Sequence, residues 1–453
     1  MATSHSDISF KAIARLAVPA LFAGIAEPLL SIVDTAFVGH VPQYPTESLA
    51  AVGLVGVFLS MLIWILGQTR SAISTIVSQY LGASKLKQIE ILPAQTVYTV
   101  VALAVLIIII TYPLAPYIFK LYNADNHILE FSIIYYRIRV FGLPFTLFTF
   151  AVFGVFRGLQ NTFYPMIIAL TGALLNIGLD YVLIYGVEGL IQPMYLRGAA
   201  YASVIAQITM AVMATIYLYK KTDIKLRLKL PFHPEMRTLS VMVLNLFVRT
   251  IALNVALYLG SSFATKYGNN SIAAYTIAIN IWFFFAFFID GLSSAGNILS
   301  GKLYGAKAFN DLKALANKLM VWSIVLGVVL ALIAGMFYYA IGRIFIKDQQ
   351  VLQTFYAIFW IVLAMQPLNS IAFIFDGIFK GLGYMKYLRN VLLIATFVGF
   401  VPVILFSDNQ GWGLKGIWLA FVVWILLRGA LLVVKFYNLP LIKQQDTAEG
   451  LEP

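Results

Sequence analysis

Two halves of this chain read alike at a separation of about 223 residues. Ser48-Leu49-Ala50-Ala51 aligns with Ser271-Ile272-Ala273-Ala274, and Leu81-Gly82-Ala83 with Tyr304-Gly305-Ala306. Pro144 aligns with Pro367, and Phe156-Arg157-Gly158-Leu159 with Phe379-Lys380-Gly381-Leu382. The register barely slips over about 110 residues, so the fold is expected to use one structural unit twice.

Each half is a series of long apolar runs. Hydrophobic residues make up 61% of the 453 and charged ones only 11%, too few to cover the surface of a soluble chain of this length. The runs approach the roughly 20 residues that cross a bilayer core. Twelve spans are expected, at 13–39, 49–69, 91–119, 131–156, 165–186 and 195–219, then at 239–264, 272–299, 315–341, 354–379, 387–407 and 414–437. The fold class is an all-α integral membrane protein, with twelve transmembrane helices in two pseudo-symmetric six-helix bundles around a central cavity. That is the architecture of alternating access. The expected domains are an N-terminal bundle (1–219), a basic cytoplasmic linker (220–238), a C-terminal bundle (239–440) and a disordered cytoplasmic tail (441–453). The polar Met1–Phe10 stretch runs directly into the first span, so that span is expected to be its own insertion signal.

The net charge of +12 would suit nucleic acid, but its distribution points to the bilayer. With both termini inside, the inner loops and the linker hold 20 of the 31 Lys and Arg, and the outer loops hold eight. This bias sets both termini in the cytoplasm of a cell's inner (plasma) membrane. It leaves no need for a nucleic-acid partner, and it reads the linker as a solvated tether near anionic headgroups.

Charge at membrane depth is costly and marks function. Five acids fall inside the expected spans: Glu27, Asp34, Asp180, Asp290 and Asp376. No base lies within a turn of Asp34, and a carboxyl held away from water can exchange a proton near neutral pH. Glu27 lies two turns before Asp34 on the same stripe. Pro19 and Pro28 give that span two bending points. Asn176 and Asp180 share one face of span 5, and Ser203 of span 6 can add a hydroxyl. These oxygens suit proton relay among Asp34, Asn176, Asp180 and Ser203, or Na+ held by Asp34, Asn176 and Asp180. Asp290 and Asp376 are further cavity candidates, as is Arg249, whose ordinary fate is to pair with one of them. Neither acid has an acidic counterpart in the repeat, and Asp-Gly also marks a helix break.

Other chemistries lack their residues. There is no Walker P-loop, no nucleophile elbow, no cysteine and no histidine cluster with metal-ligand spacing, so neither an enzyme nor a resident cofactor is expected. The 34 Phe and 25 Tyr suit a cavity for flat cations and equally suit ordinary packing of spans.

At these residues the chain resembles the multidrug and toxic compound extrusion (MATE) transporters. The run Ala26-Glu27-Pro28-Leu29-Leu30-Ser31-Ile32-Val33-Asp34-Thr35-Ala36-Phe37-Val38-Gly39-His40 is similar to the DinF-like branch, as are Asp290-Gly291 and Phe375-Asp376-Gly377-Ile378-Phe379-Lys380-Gly381. The resemblance covers about Phe10 to Asn438. It implies efflux of organic, often cationic and aromatic, compounds in exchange for H+ or Na+. In it Asp34 matches the span 1 aspartate and Asn176 and Asp180 the span 5 Asn-x-x-x-Asp. Pro19 matches the proline at which span 1 is proposed to bend on protonation. Asp376 matches an acid of another branch whose span 7 acid is absent here, where Arg249 lies, which moves the coupling site toward the first half. The expected partners are small organic molecules and lipid, with the monomer as the working unit. The alternative on the same fold is a flippase or exporter of lipid-linked or anionic cargo, which would need a basic cavity. A non-transporting scaffold needs neither the repeat nor the buried acids.

Overall fold

The computed structural model describes residues 8–443 apart from 43 and 123, with the backbone alone described at 27–32. The described chain is helical throughout, with one isolated bridge between Val187 and Ile191. The first half holds α1 (Phe10–Val38), α2 (Pro45–Leu66), α3 (Thr69–Gly82), α4 (Leu92–Leu121), α5 (Asn126–Arg139), α6 (Leu143–Gly158), α7 (Phe163–Tyr185) and α8 (Tyr195–Lys221). The second holds α9 (Glu235–Lys266), α10 (Asn269–Gly305), α11 (Phe309–Met336), α12 (Tyr338–Phe345), α13 (Gln349–Ala364), α14 (Gln366–Gly381), α15 (Met385–Ile394), α16 (Val401–Asn409) and α17 (Gly413–Tyr437). Among the described residues, ten stretches are long and apolar enough to cross a membrane, and the α13–α14 pair, bent by 48°, makes an eleventh. With α1 ahead of them, their order follows the twelve expected spans.

The repeat is visible in how helices break. Pro144 stands in the first turn of α6 and Pro367 in the first turn of α14. Proline lacks an N–H and is tolerated there, so it restarts a helix after a break. In both halves this divides a span into two helices, α5–α6 and α13–α14. Close approach at glycine repeats as well. A Cβ on Gly154 would collide with the backbone of Arg70, and one on Gly377 with the backbone of Ser293. A Cβ on Gly158 would meet Val77, and one on Gly381 would meet Ser300. Each pair of contacts is offset by the repeat spacing, so α3–α6 and α10–α14 are the same helix crossing built twice.

Two compact units emerge. One is made of Phe22–Val77 and Lys85–Val243; the other of the described parts of Met1–Leu21, Ser78–Ser84 and Leu244–Pro453. The single helix α1 thus passes from one unit to the other after Leu21, two residues beyond Pro19. The first unit packs Val52, Val55, Phe58, Phe119 and Tyr136. The second has an aromatic core of Trp282, Phe355, Phe359, Trp418, Phe421 and Trp424. Large apolar side chains on α4, such as Leu106, Ile109 and Ile110, stay exposed, as lipid-facing residues do.

Several boundaries differ from expectation, two of them by helical extensions. The spans read as 49–69 and 272–299 continue as helix to Gly82 and to Gly305. The extension α3 carries Ser74, Thr75 and Ser78, all buried. Thr75 Oγ1 donates to Ser71 O at 3.0 Å, so the helix backbone satisfies the Thr75 hydroxyl. Within the expected linker (220–238), residues 222–234 form neither helix nor strand, and the rest belongs to α8 and α9. They are tied down rather than loose: buried Gln95 donates through Nε2 to Lys229 O (2.7 Å) and Pro231 O (3.1 Å). Residues 440–443 are helical, and the rest of the tail, 444–453, lies outside the described residues.

Candidate functional site

In the unit built from 22–77 and 85–243, α1, α5, α7 and α8 bring five polar side chains together. Asp34 (α1), Asn176 and Asp180 (α7) and Ser203 (α8) are all buried, Asp180 completely. One turn separates Asn176 from Asp180, so α7 presents both on one face. Ser203 Oγ donates to Asp34 Oδ2 at 3.3 Å. The carboxyls of Asp34 and Asp180 act on each other electrostatically within this buried cluster. The side-chain oxygens Asp34 Oδ1, Asp180 Oδ1 and Asp180 Oδ2 have no donor among the described residues.

The fifth group is Arg139 of α5, which acts electrostatically on both acids and lies within hydrogen-bonding reach of the buried Tyr135 hydroxyl. Sequence reasoning assigned Arg139 to an outer loop. The structure corrects this: it ends α5, four residues and one turn after Tyr135. The available signal was an arginine already inside a predicted span. The formal balance is two carboxyls against one guanidinium. Two carboxylates in contact repel, and in a poorly hydrated site they meet only with a cation or a proton between them.

The other unit holds a cluster of opposite balance. Asp376 (α14) accepts from Arg249 Nη2 (2.5 Å, α9), Arg428 Nη2 (3.1 Å, α17) and Lys380 Nζ (2.9 Å). Arg249, Arg428 and Asp376 are buried. Arg428 also stacks over Phe373 and Trp424, at 5.0 and 5.7 Å, which shields its charge. Asp290 is exposed on α10 and reaches Arg428 only through space. Asp376 is therefore a partner for three cations rather than an open ligand, and the polar contact on this side is an ion-pair network. Arg428 and Lys380 were missed as site residues; Lys380 stands one helical turn after Asp376, a spacing the sequence displays.

Pro19 lies within continuous helix. Glu27 and Pro28 lie outside the residues whose side chains are described. Among the described residues no group of three His, Cys, Asp or Glu converges as a metal site.

Comparison with known proteins identifies the fold and the family. A profile of the MatE family matches residues 19–182 and again 246–405, once for each half of the repeat. Protein DETOXIFICATION 42 of Arabidopsis thaliana is 27% identical over 92% of this chain and 90% of its own length. DNA damage-inducible protein F of Escherichia coli (strain K12) is 27% identical over 93% and 90%. A crystal structure of MATE in the bent conformation superposes with a TM-score of 0.89 over 98% of each chain, at 20% identity. The duplicated helix order, the two-fold profile match and the full-length relatives have one reading: this chain is a member of the MatE family, the multidrug efflux transporters, on its DinF-like branch.

Proposed function

We propose that this transporter exports organic, cationic aromatic compounds across the inner membrane in exchange for protons. In this reading it works as a monomer with both termini in the cytoplasm. The observation that carries the reading is the burial of the Asp34 and Asp180 carboxyls in one polar cluster, where three of their four oxygens lack a donor. A proton shared between them holds α1 against α7; its loss sets two like charges side by side. Arg139 balances one charge and not two. The proton's presence therefore biases where α1 sits, and α1 changes compact unit just after Pro19. A substrate cation that occupies the same chamber competes with the proton for the same negative charge. Exchange follows when each ligand favours the opposite orientation of the carrier.

The test is dye efflux from proteoliposomes under an imposed pH gradient alone and an imposed Na+ gradient alone. Wild-type protein should respond to the pH gradient, and Asp34→Asn should abolish that response. Transport driven by Na+ alone, with none driven by the pH gradient, would overturn the choice of proton.

One observation favours anionic cargo as a second reading. Arg249, Arg428 and Lys380 face Asp376, and Arg249 Nε lacks a partner. This surplus of positive charge could receive a carboxylate or phosphate. Arg249→Gln should lower export of an anionic probe and leave dye export intact if this reading is correct.

A further inference from the structure

The linker between α8 and α9 carries Asp223, Lys225, Arg227 and Lys229 at alternate positions. These four, with Glu90 and Ile91 at the start of α4, line a hollow of about 200 Å³. At ~30 Å³ per water-sized volume, that holds about seven such groups. The five charged side chains surround one space, yet none of them is in an ion pair or side-chain hydrogen bond among the described residues. Three positive and two negative charges thus remain available to a ligand.

The backbone that carries them is fixed in advance. Gln95 is completely buried; it donates to Lys229 O and Pro231 O and accepts from His233 N at 2.8 Å. His233 Nε2 lies 3.0 Å from Gln88 O, and Nδ1 accepts from Glu235 N at 3.1 Å. Tyr98 Oη donates to Leu226 O, and Leu226 N donates to Tyr219 Oη, each at 3.2 Å. A segment held this way needs no ordering when a ligand arrives. Its position is also set. It joins two helices that are long and apolar enough to cross a membrane, so it lies at the bilayer surface. Leu228, Leu230 and Phe232 beside it are exposed, an apolar rim of the kind that docks against acyl chains at a bilayer surface.

We propose that this hollow is a binding site for the headgroup of an aminophospholipid, a phosphodiester that bears a primary ammonium. Lys225, Arg227 and Lys229 take the phosphate oxygens, and Glu90 and Asp223 accept from the ammonium. A purely anionic headgroup would satisfy the bases and leave two carboxylates facing negative charge. A choline headgroup has no N–H to donate to them.

The test is native mass spectrometry of the purified full-length protein with phosphatidylethanolamine, phosphatidylglycerol or phosphatidylcholine added in equal amounts. Wild-type protein should retain one phosphatidylethanolamine in preference to the other two. Lys225→Gln/Arg227→Gln/Lys229→Gln should reduce that retention by about tenfold or more. Glu90→Gln/Asp223→Asn should shift the preference from phosphatidylethanolamine to phosphatidylglycerol, a reversal that misfolding cannot produce. If the triple variant does not fold, this double variant decides the matter alone. Glycerophosphoethanolamine at equal concentration should fail to displace the lipid; if it succeeds, the ligand is a soluble phosphoamine and the lipid assignment is wrong. Equal retention of all three lipids by wild-type protein, or an unchanged preference in the double variant, would also overturn the proposal.

Discussion

Replacing Asp376 with asparagine keeps the side chain's shape and removes the carboxylate that Arg249, Arg428 and Lys380 share. Two arginines then stay buried without a counter-charge, and stranding one member of such a network costs about 3–5 kcal/mol. Asp376→Asn should lower the thermal unfolding midpoint in detergent markedly. Asp34→Asn should not, because the amide can donate to Asp180, whose oxygens otherwise lack a donor. Measuring both midpoints in one detergent checks the contrast, and equal losses would show that the two acids are not distinguished by their surroundings. At this scale the sequence disclosed the acids and concealed their partners. Asp34, Asn176 and Asp180 were legible because ionisable and amide groups are rare among apolar runs. Arg139 was not, since its charge could equally belong to a loop, and only the fold shows α5 turning it toward both acids.

Among helices, glycine decides how closely two of them approach. Gly154 and Gly377 occupy equivalent places in the repeat, and each lies where an added methyl would strike backbone of the crossing helix, at Arg70 and Ser293. Gly154→Ala and Gly377→Ala should each cost about 1–3 kcal/mol through overpacking, seen as earlier unfolding on heating. Gly53 on α2 has nothing within 4 Å of its Cβ position, so Gly53→Ala should be neutral or mildly stabilising, by up to about 1 kcal/mol. A midpoint for Gly53→Ala as low as that of the other two would refute the packing argument. Long apolar helices were readable from the sequence because hydropathy reports burial in lipid directly. The ends of α3 and α10 were not. Ser74, Thr75 and Ser78 score as loop residues on hydropathy, whereas protein buries them and the helix backbone satisfies Thr75. The broken helices α5–α6 and α13–α14 were marked only by Pro144 and Pro367, which the repeat aligned before their purpose was apparent.

For the whole molecule the open quantity is orientation, and charge argues for one answer. The linker contributes six of the chain's 31 Lys and Arg between Lys220 and Arg237, in a segment that must sit at one membrane face because it joins α8 to α9. Moving that much positive charge across a bilayer during insertion is opposed by the membrane potential and by anionic inner-leaflet lipid. Residues 186–194, between α7 and α8, carry Glu188 and no base, so they meet no such barrier and are expected outside. The chain has no cysteine, so a single introduced thiol reports on one position without background. Glu188→Cys should react with a membrane-impermeant maleimide in intact cells. Arg237→Cys should react only after the membrane is opened. Glu188 lies in the connecting turn after α7, outside the acid cluster, and Arg237 lies in the first turn of α9 and does not line the linker hollow, so both variants should retain dye export as a check of folding. The reverse pattern, with Arg237→Cys labelled from outside, would invert the expected orientation and with it the direction of the proton exchange proposed at Asp34.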